Sequence, residues 1–149
     1  MSTLPVGSKL GNYEIVRHIG GGGMAQIYLS KTGGLAGFEK HLALKVINTE
    51  LAEDDRFIQM LIDEAKLTVG LTHINIAQVF DLGQVEGVYF IAMEFVDGLD
   101  VLELVNGLHA IREKTPVVAA AFIARQIASG LHYAHGRADP EGNPLNIVH

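Results

Sequence analysis

Four consecutive glycines, Gly20, Gly21, Gly22 and Gly23, stand between two stretches of strand-forming residues. Upstream, Tyr13–Ile19 is β-rich. Downstream, Ala25–Ser30 reads as a second short strand. Glycine reaches positive φ and lets backbone N–H groups approach a ligand closely. Such N–H groups favour anions, so phosphate is the natural guest. A glycine run alone is equally a flexible turn, and its context must choose. A dinucleotide-binding loop leads from a strand into a helix, whereas here a strand follows. A Walker loop ends in Gly-Lys-Ser/Thr, whereas these glycines run into Met24-Ala25-Gln26. What remains is a glycine loop joining two strands. A dinucleotide-binding oxidoreductase would rest on the glycine run alone.

The rest of the chain fits a small sheet followed by helices. Residues 1–12 form a polar lead-in. After the glycine loop and the turn region Thr32–Gly37, His41–Ile47 is a third strand. Asp54–Leu71 has helical period, with Asp54 and Asp55 suited to its positive N-terminus. Ile76–Leu82 and Val88–Met93 read as two more strands. Asp100 to about Glu113 reads as a helix. Thr115 offers an N-cap with Pro116 at the first helical position, and an Ala-rich helix runs from there to about His135. Ala138–Pro144 is turn-rich, and Leu145–Val148 opens something new. The expected class is α+β: a five-stranded antiparallel sheet plus one helix over 13–93, a polar link at 94–100, and helices over 101–149.

With 149 residues, the chain can bury a sizeable core. Its net charge of −6 argues against general affinity for nucleic acid or anionic membrane. It has no cysteine, which removes disulfide scaffolds and thiolate zinc sites. No signal peptide or membrane-spanning run is evident, so a cytoplasmic location is expected. His132 and His135 have metal-compatible spacing but no third ligand, so packing or surface roles are expected and no metal site is assigned.

One charge in the third strand needs explaining. Alternation puts Ala43, Lys45 and Ile47 on one face. Alone, Lys45 would read as a lysine snorkelling to water. The following helix supplies a partner. Leu61, Glu64, Thr68 and Leu71 fall within about 40° of Phe57 on one stripe, at 100° per residue. Met60 and Leu67 flank the stripe on one side; Ile58, Ile62, Ala65 and Val69 flank it on the other. Asp63 then faces water, while Glu64 points into the apolar arc. A carboxylate there is costly unless paired, and Lys45 is the obvious partner. Breaking such a pair typically costs about 3–5 kcal/mol. Two charges are worth keeping there only if the lysine has work to do.

In order, these features resemble a bacterial-type serine/threonine protein kinase. The loop matches that family's pattern at Gly20 and Gly22, with Ala25 in place of the third glycine and Ile27 where valine is usual. Leu42-Ala43-Leu44-Lys45 matches its Val-Ala-Ile-Lys. Val88–Gly98 resembles its fifth strand and hinge. The resemblance implies a kinase N-lobe followed by the first helices of a C-lobe. It also implies ATP as cofactor. Gly20–Ala25 would cover the phosphates, and Lys45, positioned by Glu64, would hold the α- and β-phosphates. Ile19, Ile27 and Ala43 would roof the adenine. Met93 would be the gatekeeper, the backbone of Glu94 and Val96 would bind the adenine edge, and Asp100 would face the ribose.

His73-Ile74-Asn75-Ile76 stands where the family reads His-Pro-Asn-Ile, and no chemistry is assigned to it. Ile147-Val148-His149 resembles the opening of the catalytic loop. The aspartate that accepts the substrate hydroxyl proton and the Mg2+ ligands would follow it. The 149 residues alone are therefore expected to be inactive in phosphoryl transfer. The partners expected are ATP, an unidentified protein substrate, and further copies of the chain through apolar helix faces. The other reading left open is a truncated pseudokinase serving as a nucleotide-binding or interaction module.

Overall fold

The strand-forming stretches pair into one antiparallel sheet. The computed structural model describes residues 4–33, 37–48, 51, 54–138, 141–145 and 147, apart from the side chains of Asp55 and Glu64. Its strands are β1 (Lys9–Leu10), β2 (Tyr13–Gly21), β3 (Ala25–Gly33), β4 (Glu39–Ile47), β5 (Val79–Val85) and β6 (Val88–Glu94). Its helices are α1 (Asp55–Val69), α2 (Val101–Ala110) and α3 (Val117–His135).

Among the described residues the sheet has six strands, in the order β1-β2-β3-β4-β6-β5, not the expected five. The addition is β1, a pair of residues inside the stretch taken for a lead-in. Lys9 pairs with Glu14 and Leu10 with Tyr13 around the tight turn at Gly11, whose φ is +60°. So short a strand has no periodicity to read, and only its partner reveals it. β5 also begins three residues later than expected, at Val79.

The chain divides into two compact units. One comprises Met1–Thr72 and Ala77–Phe95; the other comprises His73–Ile76 and Val96–His149. In the first unit, each face of the sheet carries its own core. Leu10, Ile15, Tyr28, Leu44, Val46, Phe90 and Ala92 form one. Ala25, Ile47 and Ile91 form the other, together with Leu61 and Ala65 of α1. Leu44 and Ala92 are wholly buried, and each fully buried large aliphatic side chain contributes about 1.5–3 kcal/mol. The alternation along β4 is therefore real: Leu44 and Val46 serve one face, Ile47 the other.

Helix α1 starts where its sequence says it should. The Asp54 side chain accepts a hydrogen bond from the Arg56 N–H at 2.9 Å, satisfying one of the first-turn donors. Ile58, Leu61 and Ala65 are buried, and Asp63 is exposed and accepts from Gln59. Met60, placed beside the apolar stripe, is 57% exposed. The buried arc is narrower on that side than the sequence pattern suggested.

In the second unit, α3 packs on the turn at His73–Ile76. The His73 ring stacks on Tyr133 with centroids 5.0 Å apart. Gln126 donates to the Asn75 side chain at 3.3 Å. A Cβ at Gly130 would lie 3.1 Å from the Asn75 carbonyl oxygen, so glycine permits this approach. Thr115 does not cap α3. Pro116 occupies the N-cap position, with no side-chain cap. Helix α2 ends at Ala110, short of Glu113. Among the described residues, no helix is long and apolar enough to cross a membrane. The reading of Leu145–Val148 as a new element, and that of His149, fall largely outside the described residues.

Candidate functional site

The glycine run closes the β2–β3 hairpin. Gly20 pairs with Ile27 and Gly21 with Gln26, and a bulge interrupts the ladder between His18 and Gly20. That bulge falls at Ile19, immediately before the loop, where an extra residue re-aims the strand. The glycines are not equivalent. Gly21 has φ +149°, which side-chain-bearing residues rarely adopt. A Cβ there would lie 2.7 Å from the Gln26 Oε1 and 2.8 Å from the Ala25 carbonyl oxygen. Gly20, Gly22 and Gly23 have nothing within 4 Å of a Cβ. Gly21 is thus required by the hairpin itself, while the other glycines leave the loop surface bare. A bare loop surface is what close approach by a polyphosphate needs.

Lys45 lies directly across from this loop's second strand. It pairs with Ile27 of β3 on one side and Ile91 of β6 on the other. Ala25 pairs with Ile47. Ala25, Ile27, Lys45, Ile47 and Ile91 therefore share one face, the face on which α1 packs. On the same face Ala43 pairs with Met93. Ala43 is buried, and Met93 packs at the margin of the α1-side core. Glu64 falls on α1 next to Ala65, which faces the sheet. The Glu64 side chain itself lies outside the described residues.

The end of β6 is hydrogen-bonded twice to the segment before β5. The Glu94 N–H donates to the Gln78 carbonyl at 2.8 Å, and the Glu94 carboxylate accepts from the Gln78 N–H at 3.1 Å. Of the two Glu94 backbone groups, only the carbonyl can then serve an adenine edge. Val96 and Asp100 belong to the second unit. Val96 is exposed. Asp100 is the N-cap of α2: its side chain accepts from the Glu103 N–H at 2.7 Å, and the Glu103 carboxylate accepts from the Asp100 N–H at 2.9 Å. This reciprocal capping box gives Asp100 a structural duty beside any contact with a ribose.

Sequence reasoning passed over two residues that hold the loop, Gln26 and Asn48. Gln26 donates to the Gly22 carbonyl at 3.2 Å and meets His18 Nε2 at 2.8 Å. Asn48 donates through its side chain to the Gly22 and Gly23 carbonyls. Their only sequence signal was position, one just after the loop and one just after β4. Among the described residues, no group of three or more His, Asp or Glu could hold a metal ion.

Comparison with known proteins identifies the family. A family model described as protein kinase domain matches residues 13–139. The chain is 36% identical over 146 residues to the tyrosine-protein kinase MasK of Myxococcus xanthus, covering 98% of this chain and 23% of that protein. It is 34% identical over 131 residues to the serine/threonine-protein kinase PrkC of Bacillus subtilis, covering 87% and 19%. The crystal structure of the Mycobacterium tuberculosis PknI kinase domain is similar at a TM-score of 0.73 and 32% identity, over 91% of this chain and 53% of that one. The chain spans 19–23% of the two curated relatives and 53% of the solved kinase domain. A glycine-looped hairpin with a lysine on the neighbouring strand is the protein kinase arrangement, and this chain belongs to the protein kinase family.

Proposed function

We propose that this chain is the ATP-binding portion of a serine/threonine protein kinase. The observation that carries the reading is the β3–β4–β6 register. It puts Lys45 between Ile27 and Ile91 on the α1 face, beside a loop whose Gly20, Gly22 and Gly23 are bare. In this reading Lys45 holds the α- and β-phosphates, and Glu64 on α1 positions it through an ion pair. Met24 and the glycines cover the phosphates. Ile19, Ile27 and Ala43 cover the adenine, with Met93 behind it. The Glu94 carbonyl meets its edge; for the second unit, the family resemblance alone assigns the Val96 backbone to the adenine edge and Asp100 to the ribose. Protein kinases as a family use ATP with Mg2+; by the resemblance the magnesium ligands are not among the residues described here. The acceptor is a protein serine or threonine hydroxyl, as the name of PrkC indicates for that protein, although MasK is named for tyrosine. A cytoplasmic place of action belongs to the same reading.

Two measurements test it. Thermal-shift titration with ATP should stabilise the wild-type chain, and Lys45→Met should reduce that response at least about tenfold, as expected for losing a charge-assisted contact. An equal response in both proteins, or none in the wild type, would sink the site. The 149 residues alone should transfer no phosphoryl group from ATP to a generic protein acceptor. Incorporation of labelled phosphate that survives stringent purification would refute this second claim.

A further inference from the structure

The glycine loop must do two things to hold a phosphate. It must present N–H groups, and it must turn its carbonyl oxygens away, since these repel an anion. The carbonyls of Gly22, Gly23 and Met24 are all engaged. Gly22 O accepts from Gln26 Nε2 at 3.2 Å and from Asn48 Nδ2 at 3.5 Å. Gly23 O accepts from Asn48 Nδ2, and Met24 O accepts from the Asn48 N–H at 3.0 Å. On the donor side, the Gly22 N–H is bonded to Ala25 O at 2.9 Å. The Gly23 and Met24 N–H groups have no backbone acceptor among the described residues. Gly23 and Met24 are also exposed.

We infer that Asn48 and Gln26 are positioning residues that set the polarity of the glycine loop, holding its carbonyls inward so that the Gly23 and Met24 amides face an anionic guest. This rests on the nucleotide-binding reading of the loop and adds to it. Gln26 works from the side of the sheet opposite Lys45. It pairs with Val46, whose side chain belongs to the core on that other face. Its amide lies over Gly21, where a Cβ would meet its Oε1 at 2.7 Å. His18 holds the same Oε1 at 2.8 Å while its ring packs edge-on against Tyr28. Gln26 is thereby fixed from behind and need not touch the nucleotide. Asn48 is set by its own position at the end of β4. Its Nδ2 is turned to the loop carbonyls of Gly22 and Gly23, and its buried Oδ1 has no hydrogen-bond partner among the described residues.

The test uses the full 149-residue chain and two uncharged, similarly sized substitutions, Gln26→Met and Asn48→Leu. Each removes carbonyl donors without placing charge near a phosphate. The first readout is amide hydrogen exchange in the protein without nucleotide. Exchange at the Gly22 amide, which is bonded to Ala25 O, should rise by about threefold to tenfold in each variant, the effect of losing one typical hydrogen bond, while β4 and β6 amides stay unchanged. The second readout is affinity for ATP and for adenosine. ATP binding should weaken by a similar factor, adenosine binding should not, and Gln26→Glu should fail to rescue because a carboxylate cannot donate. Unchanged loop exchange in both variants overturns the inference whether or not nucleotide binds. So does an equal loss of adenosine and ATP affinity. A wild-type chain that ignores ATP, with loop exchange raised in the variants, would instead refute the nucleotide reading and leave the clamp standing.

Discussion

Replacing Gly21 with alanine should damage the fold itself, whereas replacing Gly22 or Gly23 should not. At Gly21 the backbone sits at φ +149°, and holding a side-chain-bearing residue in such a region costs about 1–3 kcal/mol. The new methyl group would also lie 2.8 Å from the Ala25 carbonyl oxygen and 2.9 Å from the Gln26 Cα. Both are backbone atoms of the opposing strand, so neither can swing aside. Overpacking of this kind costs about 1–3 kcal/mol. Relaxing one strain partly relieves the other, so the combined loss should be about 2–4 kcal/mol. Gly22 and Gly23 have open space at Cβ and no positive φ. Alanine there should be neutral, or stabilising by up to about 1 kcal/mol through the unfolded chain. Urea unfolding followed by circular dichroism, run on all three variants with and without ATP, reads both effects. Gly21→Ala should shift the midpoint downward in either condition. Gly22→Ala and Gly23→Ala should keep the midpoint and lose part of the ATP-dependent gain. If Gly21→Ala proves as stable as Gly23→Ala, the account of the hairpin is wrong.

Two further outcomes follow from the structure. Burial, together with the hydrogen bond to Asp81 and its negative charge, pushes the Tyr13 phenol up to about 12. The neutral phenol is the form favoured on folding, so its contribution to stability is complete below pH 10 and is lost as pH rises toward 12. Asp81→Asn should bring one tyrosine titration, followed by phenolate absorbance, back toward the ordinary range, and an unchanged titration would break the assignment. On α3, Val117, Val118, Phe122 and Ile127 are all more than half exposed. Apolar surface of this extent favours association, so light scattering should show oligomers that Phe122→Glu reduces; a monomer at all concentrations would count against it.

Much of the site was legible without coordinates, because local rules wrote it. The glycine run had to be a turn, and the alternation along His41–Ile47 placed Lys45 on the same face as Ala43 and Ile47. The 3.6-residue period put Leu61 and Ala65 toward the sheet and Asp63 toward water. Asp54 announced the start of its helix. Each of these depends on neighbours within a few residues in sequence. The tertiary structure alone decided the rest, since it depends on pairings distant in sequence. Strand β1 exists because Leu10 finds Tyr13 and Ile15 across a turn, not because two residues have a pattern. Which glycine is indispensable is fixed by how close Ala25 and Gln26 come to Gly21. The backbone N–H of Glu94 is taken by the carbonyl of Gln78, sixteen residues away. Asn48 acquires its place only because β4 ends beside a loop that lies 25 residues earlier. Sequence thus proposed the residues for nucleotide contact, and packing supplied the proposed residues that hold the loop in position.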